Sequence, residues 1–469
     1  MMKMDAETYQ SPFSFRYGSE EMRKVWSEAH KRRLWRSLWV ALAETQAEFG
    51  LVLKEQAEDL RAHAEEIDIQ RSLEIEAEIQ HDLMAEIKAY AEQCPKGGKI
   101  IHLGATSMDI KDNADILRVH QSLELLVPKV KGLLLALCSK IDQYADLVTL
   151  AFTHLQPAEP TTVGYRISQY AQDLWLDWQA LVGVKENLKL KGFRGAVGTS
   201  ATFMDLVGKE NLKSFMDNLE EKIGLPFFEV VTQVTPRHQE YFVACALAGI
   251  GASLHRMAFD WRFLQSSIVG EWSEPFGKKQ VGSSAMPFKR NPINMEKIDS
   301  LARMLANYPR LAWDNAANSL LENTLDDSAN RRTMLPELFL ITDELLNIAK
   351  RMVDGMVIHD GLVQKNLENF APFAATERIL IAATKAGADR QEAHEVLRQA
   401  SLNAWEALQK GQSNPLIEII LSHPFFREVL SQEELKGLTN ITEYVGDAPL
   451  RARRLAKTIR ESLIDGNGR

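Results

Sequence analysis

The sequence predicts an all-α protein of three mostly helical domains, the middle one a bundle of long helices. Three observations carry that prediction. Helix formers dominate a chain of 469 residues that has only 26 Gly and 16 Pro. Apolar residues recur at helical spacing over long segments. One of those segments is apolar on most sides and therefore requires neighbours all round it. The length suits two or three domains, and the expected boundaries are 1–111, 112–364 and 365–469.

The opening segment is expected to be extended, because Pro12 and Gly18 punctuate it. A helix follows with Leu34, Trp35, Leu38, Ala41, Leu42 and Phe49 on one face, and Gly50 closes it. Helical patterning returns from Leu73 to Glu92 and stops at Cys94-Pro95-Lys96-Gly97-Gly98. From about Asp112 an apolar stripe runs through Ile116, Leu123, Leu126, Val130 and Leu137, with Pro128 inside it. A proline in a helix interior costs about 3 kcal/mol, so a kink or break is expected there. Further long helical segments are 162–190, 239–267, 295–320 and 334–357. The second of these carries Ala244, Ala246, Ala248, Gly249, Gly251 and Ala252, small residues that let helix backbones approach closely, so an oligomer is expected. The C-terminal part reads as shorter helices. Lys385-Ala386-Gly387 closes one, and Asp389 with Glu392 opens the next as a capping box. Little strand is expected.

A formal net charge of −9 argues against a general nucleic-acid or membrane surface, while a few clustered Arg and Lys could still make a pocket for an anion. The basic run Arg451, Arg453, Arg454, Lys457 and Arg460 reads as a solvated helix face. Cys94, Cys138 and Cys245 are far apart and lack CxxC spacing, as in a reducing compartment without a disulfide framework or zinc ribbon. The N-terminus MMKMDAETYQSPFSF has no apolar core for secretion, and the uncharged stretch 241–254 is shorter than the ~20 residues a membrane span needs. A cytoplasmic location is expected. There is no GxGxxG, HExxH or CxxCH, so no metal and no cofactor are expected.

The stretch with most chemical content is Gly282-Ser283-Ser284-Ala285-Met286-Pro287-Phe288-Lys289-Arg290-Asn291-Pro292. Two prolines and the lack of an apolar period make it a loop, and it presents hydroxyls, an amine and an amide within a few residues. It resembles GSSxMPxKxN, the signature loop of the fumarase/aspartase superfamily. The likeness extends, in the same order along the chain, to Phe15-Arg16-Tyr17, His81-Asp82-Leu83-Met84, Ile101 to Ser107, Phe152 to Pro157 and Thr324 to Arg332. Within the superfamily these segments are similar to the animal-like branch that acts on succinylated purine nucleotides.

That resemblance implies β-elimination: a proton leaves the carbon next to a carboxylate, the C–N bond breaks, and fumarate departs. Removing the proton builds a second negative charge onto the carboxylate, so cations and hydrogen-bond donors are needed there. The resemblance assigns this task to Lys289, Asn291, Thr106 and Ser107. It makes Ser283 the general base, with Ser284 as the adjacent alternative. A serine hydroxyl is a poor base unless backbone N–H groups and a cation stabilise its alkoxide. His154 is implied as the acid that protonates the leaving nitrogen, since imidazole exchanges protons near neutral pH, with Glu296 as its orienting partner. His81 is implied to contact substrate, and Asp82, its neighbour in sequence, is expected to play a different role. Arg16, Tyr17, Ser328 and Arg332 would hold the nucleotide phosphate, and Gln233 would contact substrate. The implied substrate is a succinyl nucleotide and the implied assembly a homotetramer whose sites draw on three subunits.

At three positions where the branch implies arginine, this chain has Gln80, Lys297 and Asn323. Lysine cannot reproduce a bidentate contact, and the two amides carry no charge. Asn323 matters most, because it falls in the phosphate region. A lyase acting on a different N-succinyl compound, or a non-enzymatic scaffold on the same fold, are the competing readings. The presence of Ser283, His154 and Lys289 argues against the scaffold.

Overall fold

The computed structural model of the chain describes residues 7–465. The first six residues, part of the stretch read as lacking a secretion core, lie outside them. The protein is about 67% helical, and its few strands form two small antiparallel sheets. The all-α class expected from the helix-forming composition is therefore correct.

The described residues fall into two compact units, one comprising residues up to Val130, Asp177–Ala252 and Ser300–Asn347, the other Lys131–Leu176, Ser253–Asp299 and residues from Ile348 onward. In the first unit, the helix Glu28–Glu48 buries Trp35, Leu38, Trp39 and Leu42, and Gly50 follows it at φ +73°, as the pattern predicted. Its buried Arg32 and Arg36 both pair with the buried Glu86 at 2.8 Å. Two cations on one carboxylate are tolerable inside the protein because the guanidinium groups also find other acceptors, among them Ser72 Oγ, the Gln93 side chain and the backbone carbonyls of His63 and Glu66. In the second unit, Leu367, Ala371, Ile379, Leu397, Leu416, Ile420 and Phe426 form a continuous core.

The structure departs from the sequence reading in several places. The opening segment is not simply extended: Pro12–Ser14 forms a 3₁₀ turn, and Ser19 caps a short helix, Glu20–Val25. The segment 73–92 is two helices, Ile69–Ile79 and Asp82–Gln93, because Gln80 takes a left-handed conformation (φ +55°) and His81 becomes the next N-cap. Helical periodicity is in phase across this joint, so the pattern alone does not reveal it. Conversely, Ser107–Gln143 runs unbroken through Pro128. The burial of Leu123, Leu126, Val130, Leu133 and Leu134 around the proline outweighs its local cost. The segment 295–320 divides into Ile293–Leu305 and Tyr308–Ala317, with Pro309 in the first turn of the second helix, where its missing N–H costs nothing. Of the C-terminal helices, Asp360–Lys385 and Arg390–Gln409 are longer than expected, while Leu416–Ser422, Pro424–Val429 and Gln432–Leu438 are short, as expected. Gly387 (φ +98°) ends the first, and Asp389 caps the second by accepting from the backbone N–H groups of Gln391 and Glu392.

The helix His238–Leu264 is longer than its uncharged stretch suggested, and by length and composition alone could cross a membrane. Half of its most apolar window is buried, as in the core helix of a bundle. Its small residues do permit close approach. A Cβ on Gly249 would sit 2.7 Å from Asp177 Oδ1, and one on Gly251 would sit 3.0 Å from Leu305 Cδ2.

Candidate active site

In the first unit, the break at Gln80 decides where His81 stands. As N-cap it accepts the Met84 N–H at its Nδ1 (3.3 Å), which assigns the proton of a neutral ring to Nε2 and leaves that edge outward. Asp82 begins the helix and turns elsewhere. Its Oδ2 takes the Lys111 ammonium at 2.7 Å and lies 3.6 Å from Arg332, while Oδ1 accepts the Leu83 N–H. Burial pushes the Asp82 carboxyl up, but Lys111, the Leu83 amide and Arg332 outweigh it and hold the group below the usual carboxylate range. The two neighbours in sequence therefore do different things.

Thr106 and Ser107 stand at the start of the 37-residue helix Ser107–Gln143, where its first amides and its dipole favour an anion. Asp109 anchors this corner. It accepts the Thr106 N–H at 2.9 Å and the backbone amides of Arg194 and Gly195, and it pairs with the fully buried Lys191. His102, just upstream, is held in a left-handed conformation (φ +71°) and accepts Trp39 Nε1–H at Nδ1. Burial holds its pKa below the usual histidine value, and the Asp109 carboxylate opposes that.

Arg16 and Tyr17 follow the 3₁₀ turn. Their loop is pinned by Gly18 N–H to Glu344 Oε2 (3.1 Å) and Ser19 N–H to Asp343 Oδ2 (2.6 Å). Gly18, at φ +76°, leaves no room for a side chain against Leu340. The Arg16 side chain is exposed. Ser328 opens the helix Ser328–Asp354, and Arg332 stands one turn on, its side chain 66% exposed and thus open to a ligand. Gln233 and Asn323 meet: the Asn323 amide donates to Gln233 Oε1, and the Gln233 N–H reaches the Glu322 carbonyl at 3.0 Å. Asn323 thus positions Gln233 and brings no charge to the site.

Asp82, Ser328 and Arg332 share the wall of a cavity of about 160 Å³ with Lys111, which sequence reasoning did not single out. The available signal was its position one turn after Ser107 on the same helix face. Behind it lies a buried network that was also missed. Arg237 bridges Asp112 (2.9 Å) and Asp327 (2.6 Å), and Arg331 takes Glu240 at 2.6 Å. It ties together the three helices that carry Ser107, Gln239 and Ser328.

In the second unit, His154 occupies the turn of a hairpin between β1 (Val148–Thr153) and β2 (Gln156–Thr162). His154 and Leu155 have φ of +53° and +60°, a two-residue turn with both residues left-handed. Asn and Gly are the usual occupants of such a turn, so holding an exposed histidine there is a strained arrangement of the kind found at functional sites. The His154 ring has no hydrogen-bond partner among the described residues.

The signature loop spans the connection to Ile293–Leu305. Ser283 Oγ accepts the backbone N–H groups of Ala285 (3.3 Å) and Met286 (3.1 Å), while Ser284 has no comparable bonds. Asn291 Nδ2 closes the loop onto the Gly282 carbonyl at 3.3 Å, and the Lys289 N–H reaches the Met286 carbonyl. A Cβ on Gly282 would lie 2.1 Å from the Lys289 carbonyl oxygen, so only glycine allows this closure. Gly282→Ala is expected to lower kcat at least tenfold while the melting temperature shifts little, because the strain is confined to an exposed loop; wild-type kcat in a folded variant would refute the role of the closure.

Glu296 and Lys297 are in the first turns of Ile293–Leu305, which Glu274 caps by accepting the Asn294 and Met295 amides. Glu296 lies 4.0 Å from Arg262, and no hydrogen bond joins it to His154 among the described residues of a single chain. No cluster of three or more His, Cys, Asp or Glu side chains among the described residues is placed to hold a metal ion.

Comparison with known proteins agrees with the direction of these features. Residues 4–305 match the family model described as lyase, and residues 372–455 match that of the adenylosuccinate lyase C-terminus. The chain is 40% identical to the adenylosuccinate lyase of Schistosoma mansoni over 91% of this chain and 90% of that protein. It is 38% identical to that of Schizosaccharomyces pombe, covering 95% and 93%. An archaeal counterpart, from Pyrococcus abyssi, is 35% identical over 93% and 95%. Among solved structures, the fold resembles the 3-carboxy-cis,cis-muconate lactonizing enzyme of Pseudomonas putida (TM-score 0.85, 23% identity, 97% and 99% covered). It also resembles a fumarate lyase from Mesorhizobium sp. BNC1 (TM-score 0.83, 22% identity, 96% and 99% covered).

Proposed function

The chain belongs to the adenylosuccinate lyases of the fumarase/aspartase superfamily, and on that premise we propose that it splits adenylosuccinate into AMP and fumarate. We extend the same elimination to the succinyl-aminoimidazole-carboxamide ribotide of purine biosynthesis. The observation that carries the chemistry is the pair of backbone amides on Ser283 Oγ. Two N–H donors aimed at a hydroxyl oxygen stabilise it as an alkoxide and leave its proton free to depart. That favours Ser283 over Ser284 as the base.

In this reading the Ser283 alkoxide takes the proton from the carbon beside the carboxylate. The electron pair moves into that carboxylate, where Lys289 and the Thr106–Ser107 corner offset the second charge. Asn291 contributes there once its amide leaves the Gly282 carbonyl. The electrons then return to form the double bond of fumarate, the C–N bond breaks, and His154 delivers a proton to the departing nitrogen. His81 contacts the substrate through its outward Nε2, Gln233 through the amide that Asn323 leaves unused, and Arg16, Tyr17, Ser328 and Arg332 hold the phosphate. Lys297 sits beside Glu296 as a further cation.

We read the working form as a cytoplasmic homotetramer with shared sites. Supporting this, the helix His238–Leu264 lines an apolar groove of about 650 Å³ with Phe242, Cys245, Ala246 and Gly249, and Phe242 and Phe259 on it are more than half exposed. Glu296, which makes no hydrogen bond to the His154 of its own chain, would find one on a neighbour. The decisive experiment is incubation of the purified protein with adenylosuccinate and other succinyl amines while fumarate is followed. Release from adenylosuccinate supports the reading, and release only from a phosphate-free compound would replace it with a lyase of another N-succinyl substrate.

A further inference from the structure

We propose that Lys111 is a substrate-binding residue that, with Arg332 and Ser328, holds the phosphate of the succinyl nucleotide. It supplies the positive charge that Asn323 does not. The assignment rests on the reading of the chain as a succinyl-nucleotide lyase and deepens it.

The charge around Asp82 is unbalanced. Lys111 Nζ and Arg332 Nη2 approach the same oxygen, Oδ2, at 2.7 and 3.6 Å. One carboxylate therefore faces two cations, and a formal excess of one positive charge remains at this part of the cavity. The four other acids of the wall, Asp112, Asp327, Asp115 and Glu28, do not remove it, because four other cations line the wall with them. Arg237 bridges Asp112 and Asp327, Arg331 lies 3.6 Å from Asp112 while also pairing with Glu240 behind the wall, Asp115 holds Arg118 at 3.3 Å, and Glu28 holds Lys31 at 2.7 Å.

Geometry points the excess toward a ligand. A structural ion pair for Asp82 is complete with Lys111 alone, yet Arg332 stands alongside, largely exposed. The Lys111 side chain keeps 23% of its surface open in the same cavity. The Ser328 hydroxyl lines this wall without a hydrogen-bond partner among the described residues, and its backbone N–H is used by the Leu325 carbonyl. An ammonium, a guanidinium and a hydroxyl, with no unpaired acid beside them, match a phosphate dianion. Asn323 lies in the region where the phosphate was expected, but its amide is spent on Gln233.

The test uses the full-length enzyme and measures binding of AMP, adenosine and fumarate by calorimetry, together with steady-state kinetics on adenylosuccinate. Lys111→Met is expected to weaken AMP binding roughly tenfold to a hundredfold, the loss of one charge-assisted contact. Adenosine binding should not change, and KM should rise by a larger factor than kcat falls. Lys111→Arg, which keeps the charge, should restore most of the affinity for AMP. Equal losses for AMP and adenosine, or unchanged AMP binding, would overturn the assignment. A loss for fumarate alone would move the lysine to the dicarboxylate end and overturn it as well. If the wild-type enzyme binds no AMP and releases no fumarate from adenylosuccinate, the functional reading itself fails and takes this assignment with it.

Discussion

Ser283→Ala is expected to leave a folded protein whose kcat on adenylosuccinate is lower by about 10³–10⁴, the contribution of a positioned general base. The variant removes the acceptor of the Ala285 and Met286 amides along with the base. In an exposed loop those amides turn to water, so stability should change little. Ser284→Ala, by contrast, removes a hydroxyl with no such bonds and should stay within about tenfold of wild type. Fumarate release measured for both variants separates the two serines. If Ser284→Ala is the crippled variant, the amides mark a structural turn and the base is the neighbouring residue.

His154→Ala should lose activity to a similar degree, roughly 10²–10⁴, and its interest lies in what mixing does. Within one chain Glu296 faces Arg262, and His154 stands alone at a hairpin turn. If each site takes its imidazole and its alkoxide from different copies, hybrids of His154→Ala and Ser283→Ala chains contain some sites with both groups intact. Random exchange in an equal mixture would restore up to roughly a quarter of the sites. Activity should therefore appear on mixing two inactive preparations. Its absence, once subunit exchange has been demonstrated by mass spectrometry, would mean that both groups come from one chain.

The contrast between the two cationic regions has a chemical meaning. In the proposed reading the elimination end draws on Lys289, in an exposed loop, and on the Thr106–Ser107 corner to offset charge that develops and then disappears. In the same reading the nucleotide end uses Ser328, at a helix start, with Arg332 and Lys111, in front of the buried Asp112–Arg237–Asp327 network. The network fixes the helices that carry Arg332 and Lys111, and Asp82 faces both side chains, an arrangement that would lower the ordering cost of binding a phosphate.

What the amino-acid order determined by itself was local or compositional. It specified the all-α class, the Gly50 and Gly387 helix ends, the Asp389 cap, and the loop chemistry of Gly282 to Asn291, because each follows from neighbours within a few residues. The resemblance carried by separated short segments then named the groups to look for. Tertiary structure decided the rest, wherever distant contacts outweigh local preference. Packing kept the helix whole at Pro128, while a left-handed Gln80 split another helix whose periodicity gave no sign of it and so made His81 a cap. A β-hairpin lifted His154 onto its turn. Asn323 found Gln233, some 90 residues away, and Lys111 found Asp82, 29 residues away. No window of sequence contains both partners of such a pair, so only the folded chain could bring their charges and hydrogen bonds together.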